Sequence, residues 1–184
     1  MGYAIAEAVR AVGHDVVLVT GPVALMPPAG CEVHQVETTE ELHDLCSQLF
    51  VGCQGAIATA AVCDYRPRER FPGKLAKTGV SLELELVETA DVLADLGNQK
   101  GNRWIVGFAL ESDDFAHVNA LRKLKHKNCD AIVLNRPTAI GSAMNQIEVI
   151  DRAGVSVATF SGAKTDVARE LWQWVSQNLV ELNS

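Results

Sequence analysis

Four short, nearly continuous apolar runs recur along the chain, at residues 15–20, 55–62, 104–109 and 130–135, and stretches of helical periodicity separate them. A strand that faces solvent on one side alternates polar and apolar residues, whereas one covered on both faces is apolar throughout. Parallel neighbours also need a crossover connection, which is usually a helix. The spacing therefore predicts an α/β fold, with a Rossmann-like, mostly parallel sheet and helices on both faces.

The intervening segments agree with this. Residues 2–14 place Ile5, Ala8, Val9 and Val12 at helical intervals before Gly13, and residues 32–36 form a weaker strand. Thr38 and Glu41 make a capping box that opens a helix bearing Leu42, Leu45 and Leu49. Residues 81–86 alternate with period two and predict a half-exposed strand, and Thr89 caps a helix from Ala90 or Asp91 to about Leu96, closed by Gly97. A helix is predicted over residues 114–127. Residues 146–150 and 155–160, joined through Gly154, predict an antiparallel hairpin, and residues 165–182 a closing amphipathic helix. A chain of this class ordinarily begins with a strand, and this one begins with a helix.

The 184 residues, 48% of them hydrophobic, suffice for one domain with a real core. A net charge of −7 argues against binding nucleic acid or an anionic membrane through overall charge. No run approaches the ~20 apolar residues of a membrane span, and the N-terminus lacks the regions of a secretory signal. A soluble, cytoplasmic protein is expected. Five cysteines without a Cys-x-x-Cys pair predict no disulfide framework and no zinc ribbon, and most should be small buried hydrophobes. His43 and Cys46 have a metal-like spacing but no second pair, so no metal site is assigned.

Ligands of open parallel sheets bind beyond the carboxyl ends of the strands. Three groups lie there. Asp64, Tyr65 and Arg66 follow the second apolar run and lead into a basic, proline-bearing segment, residues 66–74, read as a mobile loop. With Arg68, Arg70, Lys74 and Lys77 it is either a cationic flap over phosphates or a solvated loop. Lys123 and Lys127, four apart, suit a polyphosphate clasp, although cations at a helix C-terminus are favourable in themselves. Ala90, Asp91, Val92 and Leu93 begin a helix whose free N–H groups suit an anion or plain capping. Phe108 suits a base or the core. No G-x-G-x-x-G, Walker-type, G-x-S-x-G or H-E-x-x-H motif is present, so an NAD(P) oxidoreductase rests on fold analogy alone.

Taken in chain order, Gly21-Pro22-Val23, Ala60-Ala61-Val62-Cys63-Asp64-Tyr65-Arg66-Pro67, Gly73-Lys74-Leu75-Ala76-Lys77, Gly107-Phe108-Ala109-Leu110-Glu111, Lys123 with Lys127, and Asn135 resemble phosphopantothenate–cysteine ligase, over nearly the whole chain. The stretch from Ala60 to Pro67, with Lys74 ten residues after Asp64, is the most specific part. The resemblance implies a single nucleotide-binding ligase domain over residues 1–184, acting in coenzyme A biosynthesis. CTP would activate 4′-phosphopantothenate as an acyl-cytidylate, and the amine of L-cysteine would displace CMP. By the same resemblance Ala60, Ala61, Asp64, Lys74, Ala90, Asp91, Val92, Leu93, Phe108, Lys123 and Lys127 bind the nucleotide. Lys74 is then also the catalytic residue, Arg66 and Asn135 lie on the substrate side, and Mg2+ bridges phosphates with no protein metal site. A cytoplasmic homodimer is implied, with a phosphopantothenoylcysteine decarboxylase as partner or fusion; no decarboxylase residues are present, so no flavin is implied.

Two departures stand out. The family's Asn-Pro-Asp is Thr89-Ala90-Asp91 here, and its Asn-Asp is Asn135-Arg136. The family's first strand, its glycine-rich turn and an Asn that stabilises the acyl-cytidylate precede the point matching Met1, so the domain is expected to be N-terminally incomplete. A truncated non-catalytic paralogue that binds nucleotide or phosphopantetheine is the alternative.

Overall fold

The computed structural model describes residues 1–112, 114–137 and 140–181. In chain order the elements are α1 (Gly2–Ala11), β1 (Val17–Thr20), β2 (Glu32–Gln35), α2 (Thr39–Phe50), β3 (Gly55–Ala58), β4 (Tyr65–Pro67) and β5 (Leu86–Glu88). There follow α3 (Val92–Gln99), β6 (Trp104–Leu110), α4 (Ala116–His126), β7 (Ala131–Asn135), β8 (Met144–Asp151), β9 (Ser156–Ala163) and α5 (Lys164–Val175). A π-helical turn, Ser176–Val180, continues α5, and the predicted helix end at Leu182 lies outside the described residues.

Five strands form the central sheet in the order β3-β6-β7-β8-β9. β6 runs parallel to β3 and to β7, and the expected antiparallel hairpin, β8 and β9, joins the same sheet beside β7, which makes the sheet a mixed one. The hairpin turn between β8 and β9 holds Gly154 at φ 83°, the left-handed conformation expected of a glycine there. β1 and β2 form a separate parallel pair, and β4 with β5 a short antiparallel arm.

Both faces of β6 and β7, at the middle of the sheet, are covered, which is why these two strands read as continuous apolar runs. Trp104 and Val106 of β6 and Val133 of β7 pack with Ile5 and Val9 of α1 and Val167, Leu171 and Val175 of α5. Their neighbours Ile105 and Ile132 point to the other face, against Phe50 of α2, Leu96 of α3 and Ala120 and Leu124 of α4. The start of α1 lies between the carboxyl ends of β1 and β3. The Tyr3 hydroxyl is 3.2 Å from that of Thr20, and a Cβ on Gly2 would fall 2.6 Å from Thr59 Oγ1.

Three local expectations change. β3 stops at Ala58, because its ladder with β6 ends at Gly107, and the next residues of β6 pair with β7 alone. The period-two segment is a strand only from Leu86, since β4 offers it three partners and Leu82 and Leu84 are 61% and 54% exposed with no face to bury. Arg66 and Pro67, expected in a loop, are part of β4.

Candidate functional site

Part of the set singled out from the sequence, namely Asp64, residues 90–93, Lys123 and Lys127, comes together around the start of α3. Thr89, just before that helix, donates its N–H to the Asp64 carbonyl at 2.9 Å and its hydroxyl to the Cys63 carbonyl at 2.5 Å. These two bonds pin the base of the β4–β5 arm to the helix start and bring Asp64 beside Ala90 and Asp91. Asp91, and not Thr89 as expected, is the N-cap of α3: it accepts from the Ala94 N–H at 3.1 Å, while the Thr89 hydroxyl is engaged by the Cys63 carbonyl. Val92 and Leu93 pack on the core behind it; Gly107 of β6 gives Leu93 its room, as a Cβ there would lie 3.0 Å from Leu93 Cδ2. Ala60 and Ala61 are exposed in the segment after β3.

Lys123 in the last turn of α4 and Lys127, its C-cap, both reach acids beyond that helix. The Lys127 ammonium lies 3.1 Å from Asp91 Oδ1, and that of Lys123 lies 2.6 Å from Glu111 Oε1, just beyond β6. Glu111 also accepts from Asn119 Nδ2 at 3.2 Å, and its backbone N–H donates to the Asn135 carbonyl at 3.1 Å. Asn135 itself caps the next N–H, that of Arg136, at 2.9 Å. Two ammonium groups, a helix N-terminus with its partial positive charge, and an exposed acid and backbone on the arm thus meet in one region.

Other positions are placed differently. Phe108 is half-buried and packs in the α1–α5 layer, on the face of β6 opposite to Val92 and Leu93. Arg66 pairs with Glu40 at the first turn of α2. Glu40's own backbone N–H and that guanidinium hold its carboxyl below the usual range. Lys74 and Lys77 are exposed on the arm beyond its ladder. A shallow hollow of about 340 Å3, lined by Gln35, Val36 and Glu41 among others, holds none of these residues.

Residues 1–179 match the model of the DNA/pantothenate metabolism flavoprotein C-terminal domain. The chain belongs to that family. It is 34% identical over 181 residues to the coenzyme A biosynthesis bifunctional protein CoaBC of Bacillus subtilis, covering 96% of this chain and 44% of that protein. It is 40% identical over 159 residues to a cysteine/cysteine sulfinic acid decarboxylase of an unknown prokaryotic organism, covering 83% of this chain and 44% of the other. The chain thus spans less than half the length of these relatives. The crystal structure of the C-terminal domain of CoaBC superposes with a TM-score of 0.78 at 32% identity, covering 97% of this chain and 83% of that one. A Cab2 mutant in complex with phosphopantothenate-cysteine shares the fold at 14% identity and a TM-score of 0.73, over 97% of this chain and 77% of its own.

In this member of the DNA/pantothenate metabolism flavoprotein C-terminal family, several residues that support the site carry no motif in the sequence. Asp130, before β7, accepts from buried Lys100 at 2.7 Å through both oxygens, from the Ile105 N–H at 2.8 Å and from Arg152 at 3.2 Å. Arg152 also reaches Asn128 Oδ1 at 3.0 Å, and Asn128 donates to the Gly97 carbonyl at 2.8 Å. A Cβ on Gly97 would sit 2.0 Å from the Lys127 carbonyl, so glycine there lets α3 and the end of α4 touch. This network holds the backbone that carries Lys127. Among the described residues no group of three His, Cys, Asp or Glu side chains is placed to hold a metal, and His43 turns to Asp95 and Asp44. No helix among them is long and apolar enough to cross a membrane.

Proposed function

We propose that the chain is a phosphopantothenate–cysteine ligase unit, a single nucleotide-binding domain over residues 1–184. The carboxylate of 4′-phosphopantothenate attacks the α-phosphorus of CTP, forming acyl-cytidylate and releasing pyrophosphate. The amine of L-cysteine then attacks the acyl carbon, CMP leaves, and an amide bond remains. The observation that carries this reading is the gathering of Lys123 and Lys127 with the N-terminus of α3 and the Asp64 backbone, which suits a nucleoside triphosphate.

In the assignment, Asp64, Ala60, Ala61 and residues 90–93 line the nucleotide, and Lys123 and Lys127 take the phosphates. Lys74, carried on the arm, meets the charge that develops at the reacting centre. Phe108, assigned to the nucleotide by the resemblance, would meet the base from the α1–α5 side of β6, across the strand from residues 90–93, and Arg66 and Asn135 serve the phosphopantothenate side. Glu111 and Asp91, the acids nearest the phosphates, are each engaged by a lysine, so the residues suit a Mg2+ ion that arrives with the nucleotide. Bound in that way, it supplies charge neutralisation of the triphosphate. The unit works in the cytoplasm as a homodimer, alongside a decarboxylase that consumes its product.

Pyrophosphate release with CTP, 4′-phosphopantothenate and cysteine, compared with omission of each substrate, tests the proposal. Release that needs both CTP and phosphopantothenate is expected. Nucleotide binding without any release would instead support a non-catalytic binding module.

A further inference from the structure

We infer that Glu111 is a positioning residue, which holds the ammonium group of Lys123 in place for the polyphosphate before any ligand arrives. The inference rests on the ligase reading and deepens it. Three observations carry it.

Glu111 is fixed at its base, because its N–H donates to the Asn135 carbonyl and extends the β6–β7 ladder by one step. Its carboxylate is largely withdrawn from water, at 13% exposure, and faces α4. There it takes a short contact of 2.6 Å from Lys123 and a second bond of 3.2 Å from Asn119, one helical turn earlier. An ammonium group has three N–H donors, so one spent on Glu111 leaves two for ligand oxygens.

A lysine side chain carries a large conformational entropy, lost when a ligand orders it. A carboxylate that orders it beforehand removes that cost from binding. Asp91 does the same for Lys127, but it also caps α3. Glu111 accepts no helix N–H among the described hydrogen bonds, so its role is separable from helix stability.

The alternative, that Glu111 merely offsets a positive charge, predicts the opposite sign. Glu111→Gln would then leave the phosphates facing one more net positive charge and bind them more tightly. Positioning predicts weaker binding, and only when Lys123 is present.

The experiment is a double-mutant cycle with the full chain, reading CTP affinity in the presence of Mg2+ by calorimetric titration for wild type, Glu111→Gln, Lys123→Ala and the double variant. Glu111→Gln alone should weaken CTP about ten-fold, and should change affinity by less than about two-fold in the Lys123→Ala background. Tighter binding by Glu111→Gln, or an equal loss in both backgrounds, overturns the inference while leaving the ligase reading intact. A wild-type chain that does not bind CTP overturns both. If thermal melting shows Glu111→Gln to be unfolded, Glu111→Asp, which keeps the charge and withdraws it by one methylene, is scored in the same cycle.

Discussion

Lys127 donates to the Asp91 carboxylate at 3.1 Å, joining the end of α4 to the start of α3 across 36 residues of sequence. The same oxygen accepts the Ala94 N–H at 3.1 Å, so one carboxylate caps a helix and orients a lysine. The two duties separate by substitution. Asp91→Ala loses both and should lower stability by about 1 kcal/mol in urea denaturation. Asp91→Asn keeps the cap, so its stability should stay near wild type while CTP affinity falls with the loss of the Lys127 partner.

Lys74 is exposed and makes no hydrogen bond or ion pair among the described residues. Its removal therefore costs the fold little. If it meets charge that develops only during acyl transfer, Lys74→Ala should reduce turnover by about 100-fold or more while CTP affinity stays within about three-fold. Steady-state kinetics beside calorimetric titration reads both quantities, and an unchanged turnover contradicts the role.

The layered fold was legible because burial on both faces writes itself as unbroken apolar runs, as in Trp104 to Ala109 of β6, where side chains alternate between two helix layers. The capping box was equally legible, being local: Thr38 Oγ1 accepts the Glu41 N–H at 3.1 Å and Glu41 returns the bond at 3.2 Å. The end of β3 was not legible, since the residues after Ala58 remain small and apolar and only the partner strand decides where the ladder stops. Alternation over residues 81–86 likewise describes a surface without saying whether anything lies opposite. At the site the basic end of α4 was visible, but not its carboxylates. Glu111 and Asp91 stand 12 and 36 residues away, at no periodic spacing.

The cysteines divide by environment, contrary to the expectation that most are buried. Cys129 is buried and its thiol is pushed up to about 11 by desolvation, whereas Cys63 is exposed and Cys31, Cys46 and Cys53 are half-buried. Only the thiolate alkylates readily. Brief iodoacetamide treatment at about pH 8 should therefore modify Cys63 and spare Cys129, as read by peptide mass spectrometry. Early modification of Cys129 would mean that the α3–α4 packing opens in solution.

Asp130 compensates the Lys100 ammonium, whose side chain is 7% exposed. Asp130→Ala leaves that charge buried and unpaired, along with the Ile105 N–H, and should cost about 3–5 kcal/mol. Lys100→Met should cost clearly less, because Asp130 keeps the Ile105 N–H and Arg152 as donors. Equal losses in urea denaturation would contradict this ordering.

His43 of α2 lies 3.2 Å from Asp44 Oδ1 and 2.9 Å from Asp95 Oδ2 of α3. The hydrogen bond to Asp44 first and that to Asp95 second raise its pKa above the ordinary histidine value, against a smaller opposing effect of burial. A folded-state pKa above the unfolded one means that folding favours the protonated ring. The stabilisation is complete below the unfolded value of about 6.5 and is lost as pH rises through the higher folded value. Its size is that of a partly exposed ion pair, about 0.2–1 kcal/mol. Urea denaturation at about pH 5.5 and pH 8.5 should show wild type losing stability relative to His43→Gln between the two, and the loss should vanish in an Asp44→Asn, Asp95→Asn background. A difference from His43→Gln that stays constant across this range would show that the two aspartates do not govern the ring's protonation.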